Sequence, residues 1–307
     1  MLKRSTTESK PTAKARLVRA GIASLAVASA IATLATGCLD RPVVKAEPKT
    51  SNLFVDQIVQ TAVDKIDLLF MIDNSVSMSD KQAILKSAVP LLVTRLVTPI
   101  CLDGTGKPTG TNADANGQCP VNSSPEFAAI GDIHIGIVSS SLGSHGGSVC
   151  ATADGADGHP DDKAHLIPTV RTPVVASWND QGFLAWDHTG KANKPPGVSD
   201  PGTLNTQFSN MIGAIGEHGC GYEASLESWY RFLVDPEPPD TVTLQSPAGQ
   251  SPYTLRSSKL TVGADGKVAL DAQGKPVCVG CDTTLLAQRA AFLRPDSLVA
   301  IVMLSDE

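Results

Sequence analysis

The chain has 307 residues, with 25 lysines and arginines against 31 aspartates and glutamates. Six of those basic residues and one of the acidic residues lie in residues 1–37, so the other 270 residues carry 19 basic and 30 acidic side chains, a net charge of −11. An acidic surface argues against nucleic acid as a partner, because phosphate binding requires clustered Lys and Arg. The same surface is compatible with cation binding.

The N-terminus has the pattern of an export signal. Six Lys and Arg residues within residues 3–19 are followed by the uncharged stretch "AGIASLAVASAIATLATGC", which ends at Cys38. A basic region, a short apolar region and a cleavage site of small residues are typical of secreted and envelope proteins. The apolar stretch is too short for a comfortable bilayer crossing, which needs about 20 residues.

The end of this stretch, "LATGC", resembles the lipobox of bacterial lipoproteins. The resemblance implies that Cys38 becomes the acylated first residue of the mature protein, although Ala35 stands where that family usually has Leu. The alternative is an ordinary signal peptide cut near the same point. In both cases we expect the protein to work in the cell envelope. Leu39 after the acylated cysteine favours the outer membrane or cell surface.

The chain divides into three predicted segments. Residues 1–37 form the signal peptide, residues 38–61 form the anchor and a linker, and residues 62–307 form one domain with long insertions. No later stretch is long and polar enough to be a second linker, and there is no internal repeat.

Three apolar runs predict the strands of a parallel sheet. They are "KIDLLFMID" at 65–73, "DIHIGIVSSS" at 132–141 and "SLVAIVMLSD" at 297–306. Runs rich in Ile, Val and Leu, apolar on both faces, are typical of central strands covered by helices.

Helical patterns alternate with these runs. The first spans 79–97, with Ser79 or Asp80 as its expected N-cap and Pro90 expected to kink or split it. The second spans about 204–233 and is broken by "GEHGCG", and the third spans 283–293. This order predicts an α/β domain with a doubly wound, mainly parallel sheet. The segment "KLTVGADGKVALDAQGKPV", with its Asp-Gly turn, is interpreted as a hairpin insertion.

Six cysteines follow Cys38, and in an oxidising compartment an even number indicates disulfides. Six cysteines allow 15 pairings. Cys101 and Cys119 would close one surface loop, and Cys150 with Cys220 is a guess by elimination.

The remaining pair, Cys278 and Cys281, forms a CxxC before a predicted helix, which is also how dithiol redox sites are built. A structural disulfide is the favoured interpretation, because the preceding residues resemble a hairpin and not a βαβ unit. A zinc site would need a second close pair of Cys or His, and none has the required spacing.

The stretch "DLLFMIDNSVSMSD" places polar residues directly after a buried strand. Ligand sites of open α/β sheets lie at the carboxyl ends of the strands, where Asp73 and Asp306 are both expected. Asp73, Ser75 and Ser77 alternate, so that three oxygens can face one hard cation such as Mg²⁺, which prefers about six oxygen ligands. The alternative is an Asx turn in which the serines only complete a polar loop.

These residues carry a family resemblance. "DLLFMIDNSVSMSD" resembles the first strand and DxSxS loop of von Willebrand factor type A (VWA) domains, and "LVAIVMLSDE" is similar to the strand that carries the distal aspartate of that family. The resemblance covers residues 62–307 with insertions. It implies a metal-ion-dependent adhesion site for Mg²⁺, Mn²⁺ or Ca²⁺, with Ser75 and Ser77 as direct ligands and Asp73 and Asp306 acting through water. A protein or peptide ligand would complete the metal shell with an acidic side chain.

Two departures from the family pattern follow. In "GCGYEASLES", Cys220 occupies the position of a metal-binding Thr, so that Glu223 or water would have to replace the hydroxyl. The family also continues with further strands and helices after the distal aspartate, whereas this sequence stops at Glu307. We therefore expect the domain to be incomplete at its C-terminus, with an open sheet edge.

Other functional classes receive less support. The Asp-rich loop "CATADGADGHPDDKAH" lacks the EF-hand spacing and is interpreted as a solvated loop. No GxSxG or Walker motif is present, and no base can be assigned to activate Ser75, so we expect a binding protein and not an enzyme. Two alternatives stay open, namely a dithiol redox protein that uses Cys278 and Cys281 and a structural envelope protein with an empty metal site.

Overall fold

The computed structural model describes residues 64–114, 116–145, 150, 161–172 and 175–306. The predicted signal peptide, Cys38 and the linker lie outside the described residues. The same holds for Asp154, Asp157 and His159 of the Asp-rich loop. Among the described residues, no helix combines the length and apolar character needed to span a membrane.

The described part contains eleven strands and four α-helices. The strands are β1 (Lys65–Ile72), β2 (Ile100–Asp103), β3 (Pro108–Asn112), β4 (Ser123–Pro125), β5 (Asp132–Ser139), β6 (Phe183–Asp187), β7 (Val242–Gln245), β8 (Tyr253–Arg256), β9 (Lys259–Leu260), β10 (Cys278–Val279) and β11 (Leu298–Leu304). The helices are α1 (Ser79–Val97), α2 (Pro201–Gly213), α3 (Ser225–Leu233) and α4 (Thr283–Phe292).

The central sheet has four strands in the order β11-β1-β5-β6. Strand β1 pairs in parallel with both β5 and β11, while β6 is antiparallel to β5. The three predicted apolar runs therefore form the parallel part of a mixed α/β fold, as expected. Strand β11 lies at one edge of this sheet, and its apolar Val299 and Met303 are 44% and 42% exposed.

Helices cover both faces of the sheet. Because successive strand residues point to opposite faces, Phe70 of β1 packs in a core cluster with α1 and α2, while Leu69 packs in a second cluster with α3 and α4. The rings of Phe70 and Phe208 lie 5.1 Å apart in the first cluster. In the second cluster, the rings of Phe232 and Phe292 lie 5.7 Å apart. Strands β1 and β5 are therefore buried on both sides, which explains their nearly continuous apolar sequences.

Helix α1 runs through Pro90 without the predicted split. Proline has no N–H for the carbonyl four residues earlier, which here belongs to Lys86. That carbonyl accepts a hydrogen bond at 3.3 Å from Ser209 Oγ of α2 instead. The neighbouring helix thus satisfies the group that Pro90 leaves unpaired, so α1 continues to Val97.

The start of α1 also differs from the prediction. Its N-cap is Met78, with no side-chain capping bond, and Ser79 is the first helical residue. A 3₁₀ turn over Val76–Met78 precedes it. The polar residues of the DxSxS loop are therefore directed to other partners and do not cap the helix.

Three small sheets are inserted around this core, with the orders β3-β2-β4, β7-β8 and β9-β10. The predicted hairpin insertion at 259–277 contains β9 and further isolated bridges, and Gly266 occupies a left-handed conformation in its Asp-Gly turn. The structure also pairs the six described cysteines as expected, namely Cys101 with Cys119, Cys150 with Cys220 and Cys278 with Cys281.

Candidate metal centre

The carboxyl ends of three parallel strands meet at one edge of the sheet. Ile72 of β1 is in register with Ser139 of β5 and with Leu304 of β11. The residues that follow these three positions must therefore emerge side by side. The backbone N–H of Asp73 donates to the Leu304 carbonyl at 2.9 Å, so the loop after β1 begins in contact with β11.

Asp73 is fully buried and is held by all three strand ends. Its Oδ1 accepts hydrogen bonds from the backbone N–H of Ser75 at 2.8 Å and from Ser140 Oγ at 2.9 Å. Its Oδ2 accepts from Ser305 Oγ at 3.3 Å. The bond to Ser75 is the Asx turn of the alternative interpretation. That turn uses the Ser75 backbone and leaves its hydroxyl available.

The two predicted serines and the distal aspartate form a row of oxygens. Ser75 Oγ lies 2.8 Å from Ser77 Oγ, and Ser77 Oγ donates to Asp306 Oδ1 at 3.1 Å. Ser75 is buried, whereas Ser77 is exposed. The row therefore runs from the buried Asp73 loop to the protein surface, and all four predicted residues come together.

The chemistry of this row fits a hard divalent cation. Every group in it presents oxygen, which is the ligand that Mg²⁺ and Ca²⁺ prefer. Neighbouring ligands of an octahedral Mg²⁺ shell lie about 3.0 Å apart, and the Ser75–Ser77 and Ser77–Asp306 oxygen distances are 2.8 and 3.1 Å. No group of three His, Cys, Asp or Glu side chains suited to a metal occurs in the described ranges. A site built largely from hydroxyls does not require such a group.

Asp306 is available as an anion at this edge. Partial burial opposes its ionisation, but hydrogen bonds from Lys81 and Ser77 outweigh that effect and lower the pKa of Asp306 below its ordinary value. Lys81 also forms an ion pair with the carboxylate, with 3.2 Å between Nζ and Oδ2. The carboxylate is therefore charged at neutral pH and already faces one cation.

Three residues of the site were missed in the sequence analysis. Ser140 binds Asp73 directly, and Ser141 Oγ donates to Asn74 Oδ1 at 2.7 Å. The Nδ2 atom of Asn74 is buried and has no hydrogen-bond partner among the described residues. The second apolar run ends in the polar sequence "VSSS" at 138–141, which could have indicated that Ser140 and Ser141 lie beside the end of β1.

The loop containing Cys220 reaches the candidate site through its backbone. The N–H of Gly219 donates to the Asn74 carbonyl at 2.7 Å, and the N–H of Cys220 donates to Ser141 Oγ at 2.7 Å. The sulfur of Cys220 is in the disulfide with Cys150. The loop thus contributes backbone contacts, and its Cys220 sulfur is not free to bind a metal.

A buried ion pair contacts the end of β5, next to Ser140 and Ser141. Asp162 accepts from Ser139 Oγ and from both terminal nitrogens of Arg171, whose Nη2–Oδ2 distance is 2.8 Å. Arg171 also donates to the Ile215 carbonyl at 2.9 Å. Asp162 is 3% exposed, so the expectation of a solvated Asp-rich loop is wrong for this residue. The pair fixes the segment that carries Ser140 and Ser141.

A cavity of about 420 Å³ is lined in part by Gln82, which contacts the Asp73 backbone. Its walls are the first turns of α1, the end of α2 and the loop 216–218. Gln82 contacts both the loop after β1 and the loop 216–218. Its Nε2 donates to the backbone carbonyls of Asp73 and Gly216, each at 3.4 Å. Gln82 is therefore the residue that connects this cavity to the loop after β1.

The CxxC pair has different neighbours from those of the candidate site. Asp282, directly after Cys281, is the N-cap of α4 and accepts from the Leu285 N–H at 3.0 Å. Its Oδ2 also accepts from Arg231 at 3.0 Å. A carboxylate therefore takes the helix N-terminal position that would otherwise stabilise a reactive thiolate. This arrangement favours a structural disulfide over a redox site.

Comparison with known proteins adds no relative. No protein-family model matches the chain, and searches of curated proteins and of solved structures find no significant match.

Proposed function

We propose that this chain is an exported, VWA-like binding protein that recognises a protein or peptide ligand through a divalent cation. The cation, Mg²⁺, Mn²⁺ or Ca²⁺, would be held by Asp73, Ser75, Ser77 and Asp306. The doubly wound, VWA-like arrangement of the sheet and the assignment as a non-enzyme belong to the same proposal. So does an anchor at Cys38 in the outer membrane or at the cell surface.

The observation that carries the proposal is the row of oxygens where parallel strands end. Asp73 follows β1 and Asp306 follows β11, while Ser75 and Ser77 fill the space between the two aspartates. The Asp73 carboxylate accepts from the Ser75 backbone N–H, and the hydroxyls of Ser75 and Ser77 continue from there to Asp306, which is 233 residues away in sequence. An ordinary polar turn accounts for the Ser75 backbone bond, but not for the connection to Asp306.

The four proposed metal-binding residues would have two different roles. Ser75 and Ser77 would bind the cation directly, and Asp73 and Asp306 would hold it through water and balance its charge. The bound cation supplies an electrophilic position for a ligand carboxylate. Hydroxyl ligands add no negative charge, which leaves the cation attractive to an acidic side chain. The cavity beside Gln82 would receive neighbouring parts of the ligand.

The disulfide at Cys220 sets an expectation for affinity. Without the family threonine, one position of the metal shell has no hydroxyl from this loop. We therefore expect weaker metal binding than a complete set of five protein groups would provide.

Calorimetric titration of Mg²⁺, Mn²⁺ and Ca²⁺ into the full chain tests the proposal. Saturable binding should disappear in Asp73→Ala, which removes the buried carboxylate that holds the loop, and should weaken about tenfold or more in Ser77→Ala, which removes an oxygen from the row. Ser77 is exposed, so its variant should fold even if the buried Asp73 variant does not. Ser87→Ala, an exposed serine further along α1, is the matched control and should bind like the wild type.

A different outcome of the titration would contradict the proposal. If folded wild-type and Ser77→Ala chains bind none of the three cations, or bind them equally well, the proposed metal function is wrong. The structural envelope protein would then be the better interpretation.

A further inference from the structure

Lys81 occupies an unusual place for a cation. It is the third residue of α1, in the first turn of the helix. The aligned peptide dipoles make a helix N-terminus partly positive, so acidic residues are preferred there and lysine is disfavoured. The contacts of Lys81 must therefore compensate for this position.

Those contacts lie at the row of oxygens. Lys81 Nζ is 3.2 Å from Asp306 Oδ2, and it donates to the Ser77 carbonyl at 3.1 Å. It also donates to Asp80 Oδ1 at 2.7 Å. The side chain of Asp306 is 15% exposed and that of Asp80 is 76% exposed. The ammonium is thus shared between an inner carboxylate of the site and an outer carboxylate on the surface.

We propose that Lys81 is a tethered competitor cation that sets the metal affinity of this site. The inference rests on the proposed function, because it concerns the same Asp306. When a divalent cation binds, the ammonium gives up Asp306 and keeps Asp80 as its partner. Without the metal, Lys81 neutralises Asp306 and holds it against Ser77.

The expected size of the effect follows from electrostatics. A unit charge about 6 Å from a divalent cation, in surroundings as polar as water, changes the binding constant about tenfold. Both the repulsion of the metal and the competition for Asp306 act in the same direction. The site would therefore respond only to divalent cations at concentrations high enough to displace the lysine.

Titration calorimetry with Mn²⁺ on the full chain tests this role. Lys81→Met keeps the length of the side chain and removes its charge, so it should bind Mn²⁺ about tenfold more tightly than the wild type. Lys81→Arg keeps the charge and should stay within about threefold of the wild type. Lys65→Met removes a lysine that pairs with Asp296 near the start of β1, at the opposite end of the sheet, and controls for the change in net charge.

Asp80 provides an independent check. Asp80→Asn leaves Lys81 with Asp306 as its carboxylate partner, so Mn²⁺ binding should weaken several-fold. In the Lys81→Met background the same Asp80 substitution should change affinity less than twofold. A purely structural role for Lys81 would not produce this dependence of one substitution on the other.

The outcomes separate the two proposals. If Asp73→Ala abolishes Mn²⁺ binding while Lys81→Met binds no more tightly than the wild type, the lysine inference is wrong and the metal site stands. If neither the wild type nor Lys81→Met binds Mn²⁺, both proposals are wrong. Binding by Lys81→Met alone would support the lysine inference and overturn the proposed metal function of the wild-type chain, since the lysine would then prevent metal binding.

Discussion

Gly219 lies in close contact with the loops that follow β1 and β5. A Cβ atom at this position would be 2.3 Å from Asn74 Oδ1 and 2.5 Å from Ser141 Oγ. These distances are far shorter than any normal contact, and both atoms are held by hydrogen bonds. The backbone of Gly219 also donates to Asn74, so the loop cannot move away without losing that bond. Only glycine allows this close approach.

We predict that Gly219→Ala destabilises the protein by about 1–3 kcal/mol, the usual cost of forcing extra atoms into a packed site. It should also weaken divalent cation binding, because Asn74 follows Asp73 directly. Urea unfolding followed by circular dichroism measures the first effect. Gly221→Ala is the matched control, since a Cβ there would meet nothing within 4 Å. Equal stability of the two variants would contradict the packing argument.

At the scale of elements, the end of β6 is shaped by a buried carboxylate. Asp187 is fully buried and accepts hydrogen bonds from the backbone N–H groups of Lys191 at 3.1 Å and Asn193 at 2.9 Å. Burial tends to raise its pKa, but the hydrogen bonds from Asn193, Ala192 and Lys191 outweigh burial, and the pKa of Asp187 is lowered. The turn after β6 is thus built around an ionised Asp187.

We predict a pH-dependent contribution of Asp187 to stability. Since the pKa of Asp187 is lower in the folded state, its contribution is present above the unfolded-state value of about 3.9 and is lost as the pH falls through the folded value. Asp187→Asn should therefore be less stable than the wild type at pH 7, and the difference should shrink below about pH 4. Unfolding free energies measured between pH 7 and pH 3 test this.

The control for this prediction is a turn with the same sequence pattern. Asp271 accepts from the N–H groups of Gln273 at 2.9 Å and Lys275 at 2.8 Å, but it is exposed. Asp271→Asn should cost less stability at pH 7 than Asp187→Asn. A constant difference between wild type and Asp187→Asn at all pH values would contradict the assignment of an ionised, stabilising carboxylate.

At the scale of the whole molecule, three disulfides constrain segments of different length. The bridge between Cys150 and Cys220 spans 70 residues of sequence, the bridge from Cys101 spans 18, and the Cys278–Cys281 bridge spans 3. A disulfide stabilises chiefly by limiting the freedom of the unfolded chain, and the effect grows with the length of the loop. The three bridges should therefore contribute unequally.

We predict that replacing a cysteine pair by serine lowers the free energy of unfolding. The loss should be about 4.4 kcal/mol for Cys150 and Cys220, about 3.2 kcal/mol for Cys101 and Cys119, and about 1.6 kcal/mol for Cys278 and Cys281. Chemical denaturation of the three double variants measures their unfolding free energies and so gives the order of the three losses. The variant lacking Cys278 and Cys281 serves as the internal control, because it removes two cysteines but little chain constraint. A larger loss in that variant than in the other two would mean that local contacts, and not chain entropy, dominate.

Local patterns determined much of the fold. The helix predicted within 79–97 ends at Val97 as expected and begins one or two residues earlier than the predicted N-cap implied, and the strands at 65–73, 132–141 and 297–306 differ by at most two residues at each end. Strands β1 and β5 are apolar along nearly their whole length because both of their faces are buried, so a local pattern specifies them. Strand β6 was not predicted, since five residues with no alternating pattern carry too weak a signal.

The sequence by itself determined the α/β class, the α1 helix and the residues Asp73, Ser75, Ser77 and Asp306, because each depends on local composition and spacing. The tertiary structure alone decided which side chains meet them. Ser140 is 67 residues from Asp73, and Lys81 is 225 residues from Asp306. Such contacts arise from the parallel register of β1, β5 and β11, which aligns strand ends that are distant in the chain. No local pattern records that register, so the partners of the candidate site become visible only in the folded protein.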